Sequence, residues 1–303
     1  MAAIEVKGIG KRFKDVRALK DISFSVEEGE LFGLIGPDGA GKSTLFRILT
    51  TLLLADEGEG YVAGHHIVKD FKKIRNIIGY MPGRFSLYPD LSVEENLTFF
   101  ATIFGTTIQE NYDLVKDIYV QLEPFKKRPA GKLSGGMKQK LALCCALIHK
   151  PQVLFLDEPT TGVDAVSRRE FWEMLKSLKA KGIAILVSTP YMDEATLCDN
   201  IALIQKGELL TIDTPRQIIA NFDKPMFAIK TDEPYKIMHF LRQQNFTESA
   251  LPFGGSLHLI TKERYTKHHL EQYLNEAGFK NYEVTPIEAT VEDVFLDISR
   301  EVS

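Results

Sequence analysis

Three continuous apolar stretches recur along the first two thirds of the chain, and each is followed by a polar or glycine-containing turn. They are LFGLIG (31–36), VLFLD (153–157) and IAILVST (183–189). Strands that are apolar on both faces are typical of a parallel sheet covered by helices on each side. Helical patterns separate them, from Lys42 to about Leu54 and through most of residues 84–150. The pattern therefore predicts an α/β core.

Local signals predict several further elements in this part of the chain. Residues 1 to about 30 predict short strands joined by turns. Ser92, followed three residues later by Glu95, predicts a capping box at the start of a helix. The stretch NIALIQKGELLTID (200–213) predicts a β-hairpin that turns at Lys206-Gly207.

The pattern changes after residues 221–225 (NFDKP). The remaining chain reads as strand, helix, two strands, helix and strand, and a last helix covers residues 290–299. The second of these helices is expected over residues 264–278. This order is that of a ferredoxin-like split βαβ domain. We therefore expect a domain over residues 1–222 and a small α+β C-terminal domain over residues 223–303.

Composition limits the classes of protein that remain. The chain has 303 residues, of which 44% are hydrophobic and 26% charged, as in ordinary globular proteins. Its apolar runs are too short to span a membrane and its start has no signal-peptide pattern, so we expect any membrane link to go through a partner. Cys144, Cys145 and Cys198 lack a paired spacing, which favours a reducing cytosol. The net charge of −4 does not indicate nucleic-acid binding, for which a basic surface is typical.

A phosphate-binding motif follows the first apolar strand. GPDGAGKST (36–44) matches GxxxxGK[ST] in the required context, after a strand and at the start of a helix. Glycines let backbone N–H groups surround phosphates, and the helix N-terminus adds partial positive charge. Lys42 supplies a cation, and Ser43 offers a hydroxyl to Mg²⁺. The alternative is a chance match, expected in about one of 100 chains of this length.

Two carboxylates end the second apolar strand, in VLFLDEPTTGVD (153–164). Asp157 is expected to hold Mg²⁺ through water, and Glu158 to polarise an attacking water. The alternative is an ordinary acidic exit from a strand.

A third motif, KLSGGMKQK (132–140), places Ser134 as the N-cap of an apolar helix, with two glycines that leave the helix end uncovered. This predicts a second anion-binding helix end.

With these three motifs, residues 3 to 222 resemble the ATP-binding subunit of ABC transporters. The resemblance implies a P-loop NTPase RecA-like core, an antiparallel β subdomain, a helical subdomain carrying LSGG, and a head-to-tail dimer that binds ATP and Mg²⁺. Asp164 matches an acidic residue used across that dimer. Phe13 matches an aromatic position that packs on adenine, although it could simply end a strand. The implied nucleotide-binding residues are Phe13, Gly36, Pro37, Asp38, Gly39, Ala40, Gly41, Lys42, Ser43, Thr44 and, across the dimer, Ser134, Gly135 and Gly136. The metal residues are Ser43 and Asp157, and the catalytic residues are Lys42 and Glu158.

Further motifs are similar to those of the drug-efflux group of ABC exporters: GYMP, FSLYPDLSVEENL, LSGGMKQK, YMDEA and a late EDVFL. The resemblance implies a separate transmembrane permease subunit, a homo- or heterodimer of ATPase subunits, and a peripheral location on the cytoplasmic face of the cell membrane. Residues 84–100 are expected to receive a short helix of that permease; the alternative is that they pack in the core of the helical subdomain. Two other functions stay open: a nucleotide-gated regulator with little hydrolysis, and a soluble ABC ATPase not involved in transport.

Two positions depart from the family pattern. The family has glutamine where this chain has Gly83, and a histidine that contacts the γ-phosphate where it has Pro190. Neither replacement has a hydrogen-bonding side chain. We therefore expect ATP binding with slow hydrolysis, unless neighbours such as Thr189, Tyr191 or Arg84 take over.

Overall fold

The structure of the protein, a computed structural model, describes residues 2–262 and 265–301. The chain divides into two compact units, of which the first ends at Pro215 and the second begins at Arg216. The predicted domain boundary after residue 222 stays a prediction. None of the helices in the described residues is long and apolar enough to cross a membrane.

The first unit alternates strands and helices. Its strands are β1 (Ala2–Phe13), β2 (Val16–Glu27), β3 (Leu31–Ile35), β4 (Glu57–Val62), β5 (His65–His66), β6 (Ile78–Met81), β7 (Val153–Asp157), β8 (Ala184–Thr189), β9 (Asn200–Gln205) and β10 (Glu208–Asp213). Its helices are α1 (Lys42–Leu49), α2 (Phe71–Ile77), α3 (Val93–Ile103), α4 (Tyr112–Leu122), α5 (Gly135–Leu147) and α6 (Ala165–Ala180). Helix α7 (Pro215–Ala220) follows β10, and short 3-10 segments cover Glu123–Phe125, Ala130–Lys132 and Met192–Leu197.

The central sheet has the strand order β10-β9-β3-β8-β7-β6, with β10 antiparallel to β9 and the other pairs parallel. Every residue of β3, β7 and β8 is buried. The α/β core and its three apolar strands are therefore confirmed. Strand β6 was not predicted, because its four residues are too short and mixed to give a periodic signal.

A second sheet has the order β2-β1-β4-β5 and is antiparallel throughout. The prediction of short strands over residues 1–30 is wrong, since β1 and β2 each run for 12 residues. Their pairing contains register shifts, and Gly8 and Asp21 have positive φ angles of 61° and 51°. Such bulges interrupt the alternation of side chains, so one long strand reads as several short ones.

Helix α1 ends earlier than the sequence predicts, at Leu49 rather than near Leu54. The next residue but one, Thr51, has a φ of 64°, which no α-helix accommodates. The expected capping box is confirmed: Ser92 Oγ accepts the N–H of Glu95 at 3.2 Å, and the Glu95 carboxylate accepts the N–H of Ser92 at 2.8 Å. The helical character of the stretch that contains α3, α4 and α5 is also confirmed.

The second unit has the predicted order of elements. It consists of β11 (Met226–Thr231), α8 (Pro234–Arg242), β12 (Thr247–Phe253), β13 (Ser256–Thr261), α9 (Lys267–Glu276), β14 (Tyr282–Ile287) and α10 (Val291–Glu301). The strands form an antiparallel sheet with the order β12-β13-β11-β14. The predicted start of α9 at Arg264 lies outside the described residues; the described helix begins at Lys267, capped by Thr266. The ferredoxin-like assignment stays a prediction.

The last helix packs against the sheet of the second unit through polar contacts of two buried aspartates, Asp293 and Asp297. Asp293 of α10 is 2.7 Å from Nδ1 of His258 on β13, and both side chains are buried. Lys224 donates to the carboxylate of Asp297 at 2.6 Å. Buried polar groups are costly unless they are hydrogen-bonded, so these contacts stabilise the position of α10 against its own sheet.

Candidate functional site

The predicted phosphate loop connects β3 to α1. Gly39 and Gly41 have positive φ angles of 79° and 108°, a region that residues with a Cβ rarely adopt. A Cβ on Gly41 would lie 2.6 Å from the carbonyl oxygen of Ala18, whereas the space beside Gly39 is open. Gly41 is therefore required both for its φ angle and for close packing, whereas Gly39 is required for its φ angle alone.

Lys42 begins helix α1 and is only 3% exposed. Its Nζ donates to the carbonyl oxygens of Gly36 at 2.7 Å and Pro37 at 3.0 Å, and lies 3.1 Å from Oε1 of Glu158. An ammonium has three N–H donors, so all of them have partners. A phosphate that binds to Lys42 must replace one or more of these contacts.

Asp157 and Glu158 lie at the carboxyl end of β7. Asp157 is 4% exposed and accepts a hydrogen bond from Oγ of Ser188 on β8 at 2.7 Å. Glu158 has a φ of 50°. Its N–H donates to two oxygens of Ser188, the hydroxyl at 3.0 Å and the backbone carbonyl at 3.1 Å. A positive φ is strained for a non-glycine residue, and such a conformation persists only when the surrounding structure imposes it. Here the conformation brings the Glu158 carboxylate to Lys42.

A cavity of about 440 Å³ opens beside the loop, within the usual range for ligand sites. The predicted residues that line it are Gly39, Gly41, Lys42, Ser43, Thr44 and Glu158. It is also lined by residues that the sequence analysis missed: Val16, Arg17, Ala18, Lys20 and Lys206. These come from β2 and from the β9–β10 turn, so no local motif could identify them.

Other predicted residues lie outside this lining. Phe13, at the end of β1, is 44% exposed, and Nζ of Lys11 lies 5.6 Å from its ring centre. Val16 occupies the cavity wall on that side instead. Gly36 and Pro37 contribute carbonyls to Lys42, while Ala40 accepts a backbone hydrogen bond from the β9–β10 turn, and Asp38 is exposed.

The LSGG helix end is separate from the cavity. Ser134 caps α5 by accepting the N–H of Met137 at 3.4 Å, as predicted. A Cβ on Gly136 would lie 2.6 Å from Oγ of Ser167, so α5 begins in close contact with the start of α6. Asp164 caps α6 through the N–H groups of Val166 and Ser167, and these hydrogen bonds lower the pKa of its carboxyl. Ser134 and its two glycines therefore do not line the cavity of their own chain.

The two departures from the family pattern both lie at the edge of the loop and its carboxylates. A Cβ on Gly83 would stand 3.1 Å from the carbonyl oxygen of Asp157 and 3.8 Å from its carboxylate. Pro190 follows Thr189, whose carbonyl accepts the N–H of Gly36 at 3.3 Å. The Thr189 hydroxyl is already engaged, because it donates to Glu194 at 2.5 Å and accepts the N–H of Tyr191 at 3.1 Å.

An apolar groove of about 280 Å³ borders β6 and the helical region. Its lining includes Tyr80, Met81, Leu87, Phe100, Phe104, Cys145 and His149. His149 stacks on Phe104 at 3.8 Å and its Nε2 lies 2.9 Å from the carbonyl of Ile78. Burial lowers the pKa of His149. Phe85 and Tyr88, from the segment predicted to receive a partner, are exposed.

These residues fit a magnesium-bound nucleoside triphosphate. The loop presents backbone N–H groups at the start of a helix, which favours phosphate. The exposed hydroxyl of Ser43 and the buried carboxylate of Asp157 offer the oxygen ligands that Mg²⁺ prefers.

Comparison with known proteins agrees with this geometry. The family described as "ABC transporter" matches residues 19–161. The chain is 41% identical over 219 residues to the "Probable multidrug ABC transporter ATP-binding protein YbhF" of Escherichia coli (strain K12). The aligned region covers 72% of this chain but only 38% of that relative. It is 33% identical over 301 residues to the "Nod factor export ATP-binding protein I" of Rhizobium sp. (strain N33), which covers 98% of this chain and 97% of the relative.

Solved structures show the same architecture. A chain titled "Structure of ATP binding subunit of ABC transporter" superposes with a TM-score of 0.66 at 29% identity, over 73% of this chain and 93% of its own. The dimeric bacterial ABC transporter cassette MJ0796 gives a TM-score of 0.63 at 27% identity, over 70% of this chain and 98% of its own. The predicted P-loop NTPase fold is therefore confirmed.

Proposed function

Because the chain belongs to the ABC transporter family, as an ATP-binding cassette, we propose that it binds Mg²⁺ and ATP in the cavity beside the phosphate loop and drives export through a separate membrane chain. The observation that carries the proposal is the meeting of Lys42, Glu158 and the loop glycines at one cavity. Loop and carboxylates come from distant parts of the sequence, and the fold brings them together at the carboxyl edge of the central sheet, where ligands of such sheets bind.

The contacts of Lys42 suggest how binding prepares hydrolysis. On binding, Lys42 exchanges its contacts with the Gly36 and Pro37 carbonyls and with Glu158 for phosphate oxygens. This exchange releases the Glu158 carboxylate to polarise the attacking water. Ser43 and Asp157 would hold Mg²⁺, which neutralises charge on the phosphates.

We propose a head-to-tail dimer in which the Ser134 helix end completes the site of a second ATPase subunit. Two features support it: the helix N-terminus is capped but lies outside its own cavity, and Ser134 is exposed. A solved cassette of the same fold is described as dimeric. The partner could be an identical or a related subunit.

We propose that the apolar groove beside β6 receives a short apolar helix of the membrane chain. Its walls are mainly aromatic and aliphatic, and exposed Phe85 and Tyr88 lie on the predicted segment beside it. Such exposed apolar patches mark interaction sites. Docking there would hold the protein on the cytoplasmic face of the membrane, and the relatives named for multidrug transport and Nod factor export support export as its direction.

A cysteine crosslink tests this docking. Tyr88→Cys should crosslink to the membrane chain that copurifies with this protein, because the three native cysteines are buried and leave the new thiol as the reactive one. Tyr235→Cys, an exposed tyrosine of the second unit, is the matched control. Equal crosslinking at both positions, or none at Tyr88→Cys in a complex that copurifies, would contradict the proposal.

We also propose that hydrolysis is slow, because Gly83 and Pro190 leave two gaps near Asp157 and Gly36. Of the neighbours that could replace the missing groups, Thr189 already uses its hydroxyl within the protein. The intact Glu158 favours a slow ATPase over a regulator without hydrolysis. Phosphate release by the purified protein with Mg²⁺ and ATP, and its absence in Glu158→Gln, tests that activity.

A further inference from the structure

The β9–β10 turn places a lysine in an unfavourable backbone conformation. Gln205 pairs with Glu208, so Lys206 and Gly207 form a two-residue turn. Their φ angles are 47° and 81°, the combination of a type I′ turn. This turn favours glycine, which has no Cβ to clash at positive φ, or asparagine and aspartate, whose side chains hydrogen-bond to the nearby backbone. A lysine is therefore less suited to this position than asparagine or glycine.

The turn is fixed against the phosphate loop and β2. Gly207 donates its N–H to the carbonyl of Ala40 at 3.0 Å, and accepts the N–H of Lys20 at 2.7 Å. A Cβ on Gly207 would stand 2.6 Å from the carbonyl oxygen of Ala18, so the backbones touch. The turn therefore cannot move away from the loop without breaking these contacts, and Lys206 is held in the wall of the cavity.

The cationic side chains that line the cavity differ in whether a carboxylate pairs with them. Arg17 lies 2.9 Å from Glu57, Lys20 lies 2.8 Å from Glu208, and Lys42 lies 3.1 Å from Glu158. Lys206 is exposed and has no ion-pair partner among residues 2–262 and 265–301. An uncompensated ammonium in the wall of a phosphate-binding cavity attracts an anionic ligand.

We propose that Lys206 is a nucleotide-binding residue whose ammonium contacts the α- and β-phosphates of ATP. The turn meets Ala40, in the middle of the loop, and Ala18 on β2. The γ-phosphate is expected near Lys42 and Glu158, whose side chains meet at 3.1 Å. Lys206 therefore recognises the part of the ligand that ATP and ADP share. The inference rests on the proposed function, because it requires ATP in this cavity.

Calorimetric titration of Lys206→Asn with ATP and with ADP tests the contact. Asparagine suits the turn, so the fold should be kept, as the thermal unfolding midpoint will show. We expect the affinities for ATP and ADP to fall by the same factor, about three- to tenfold, as for one partly exposed charged contact. Affinity for adenosine, which carries no phosphate, should not change, and Lys206→Arg should bind like the wild type.

Lys150→Asn is the matched control, since Lys150 is also exposed, has a φ of 58° and does not line the cavity. Unchanged ATP and ADP affinity in Lys206→Asn, or an equal loss in Lys150→Asn, would overturn the inference. A loss for ATP alone would contradict the placement at the α- and β-phosphates. If the wild type binds neither nucleotide, the proposed function itself fails. That result differs from wild-type binding of both nucleotides with an affinity that Lys206→Asn leaves unchanged.

Discussion

Restoring the family side chains at positions 83 and 190 should raise the rate of ATP hydrolysis. Pro190→His returns a donor next to Thr189, whose carbonyl binds the start of the phosphate loop. Gly83→Gln returns an amide beside the Asp157 carboxylate. Both groups act on charge that develops as the γ-phosphate is transferred, so turnover should change more than ATP affinity.

The structure limits the size of this gain. One well-placed donor to a transition state is worth about 10²–10³ in rate. At position 83, however, the new Cβ would lie 3.1 Å from the Asp157 carbonyl, which is closer than most such contacts, so the strand end must shift by a few tenths of an ångström. Since catalysis depends on geometry, part of the gain will be lost. We therefore expect the double variant to exceed the wild type by about tenfold or more, and each single variant by less.

Steady-state phosphate release by the wild type, both single variants and the double variant measures the effect. Gly83→Ala and Pro190→Ala are the controls, because they introduce the Cβ or remove the proline ring without adding a hydrogen-bonding group. Equal rates for all these proteins, or a wild type faster than the double variant, would refute the reasoning and make Pro190 an ordinary turn residue. A gain that the alanine controls reproduce would assign the effect to the backbone.

Two further predictions follow from the contacts of the site. Glu158→Gln should abolish steady-state phosphate release while binding ATP somewhat more tightly, because Lys42 loses the charged partner that competes with phosphate; weaker binding in a titration would contradict the exchange of contacts. It should also accumulate an ATP-dependent dimer in size-exclusion chromatography. Ser134→Arg should prevent that dimer when added to Glu158→Gln, since it places bulk at the helix end that meets the second nucleotide, whereas Arg128→Ala should not. A dimer that forms normally with Ser134→Arg would refute the head-to-tail arrangement.

The parts that could be predicted from sequence are those whose signal is local. The phosphate loop, the capping box of Ser92 and the turn at Lys206-Gly207 each depend on residues within a few positions of one another. The buried strands are recognised because nearly all their residues are apolar, with polar residues only at the ends of β7 and β8. Two predictions were wrong because their local signal is interrupted: the bulges at Gly8 and Asp21 break the period of the long strands, and the end of α1 depends on the backbone angle of Thr51.

The parts that could not be predicted depend on tertiary proximity. Arg17 and Lys20 reach the cavity because β2 passes the phosphate loop, and Lys206 reaches it because the hairpin turn is bonded to Ala40. No spacing rule links these positions to the loop. Conversely, Phe13 matches an adenine-stacking position in the family but does not line the cavity, so its proposed contact stays a prediction.

The most direct test of the account is calorimetric titration of the wild type and Lys42→Ala with ATP in the presence of Mg²⁺. The central claim is that ATP binds in the cavity where Lys42 meets the loop carbonyls and Glu158. Removing a buried charged donor to a phosphate should weaken binding by about 10- to 100-fold, with the unfolding midpoint of each protein as the folding control. Saturable binding by the wild type and a loss of that size in folded Lys42→Ala is the predicted result; equal affinity of the two proteins would contradict it.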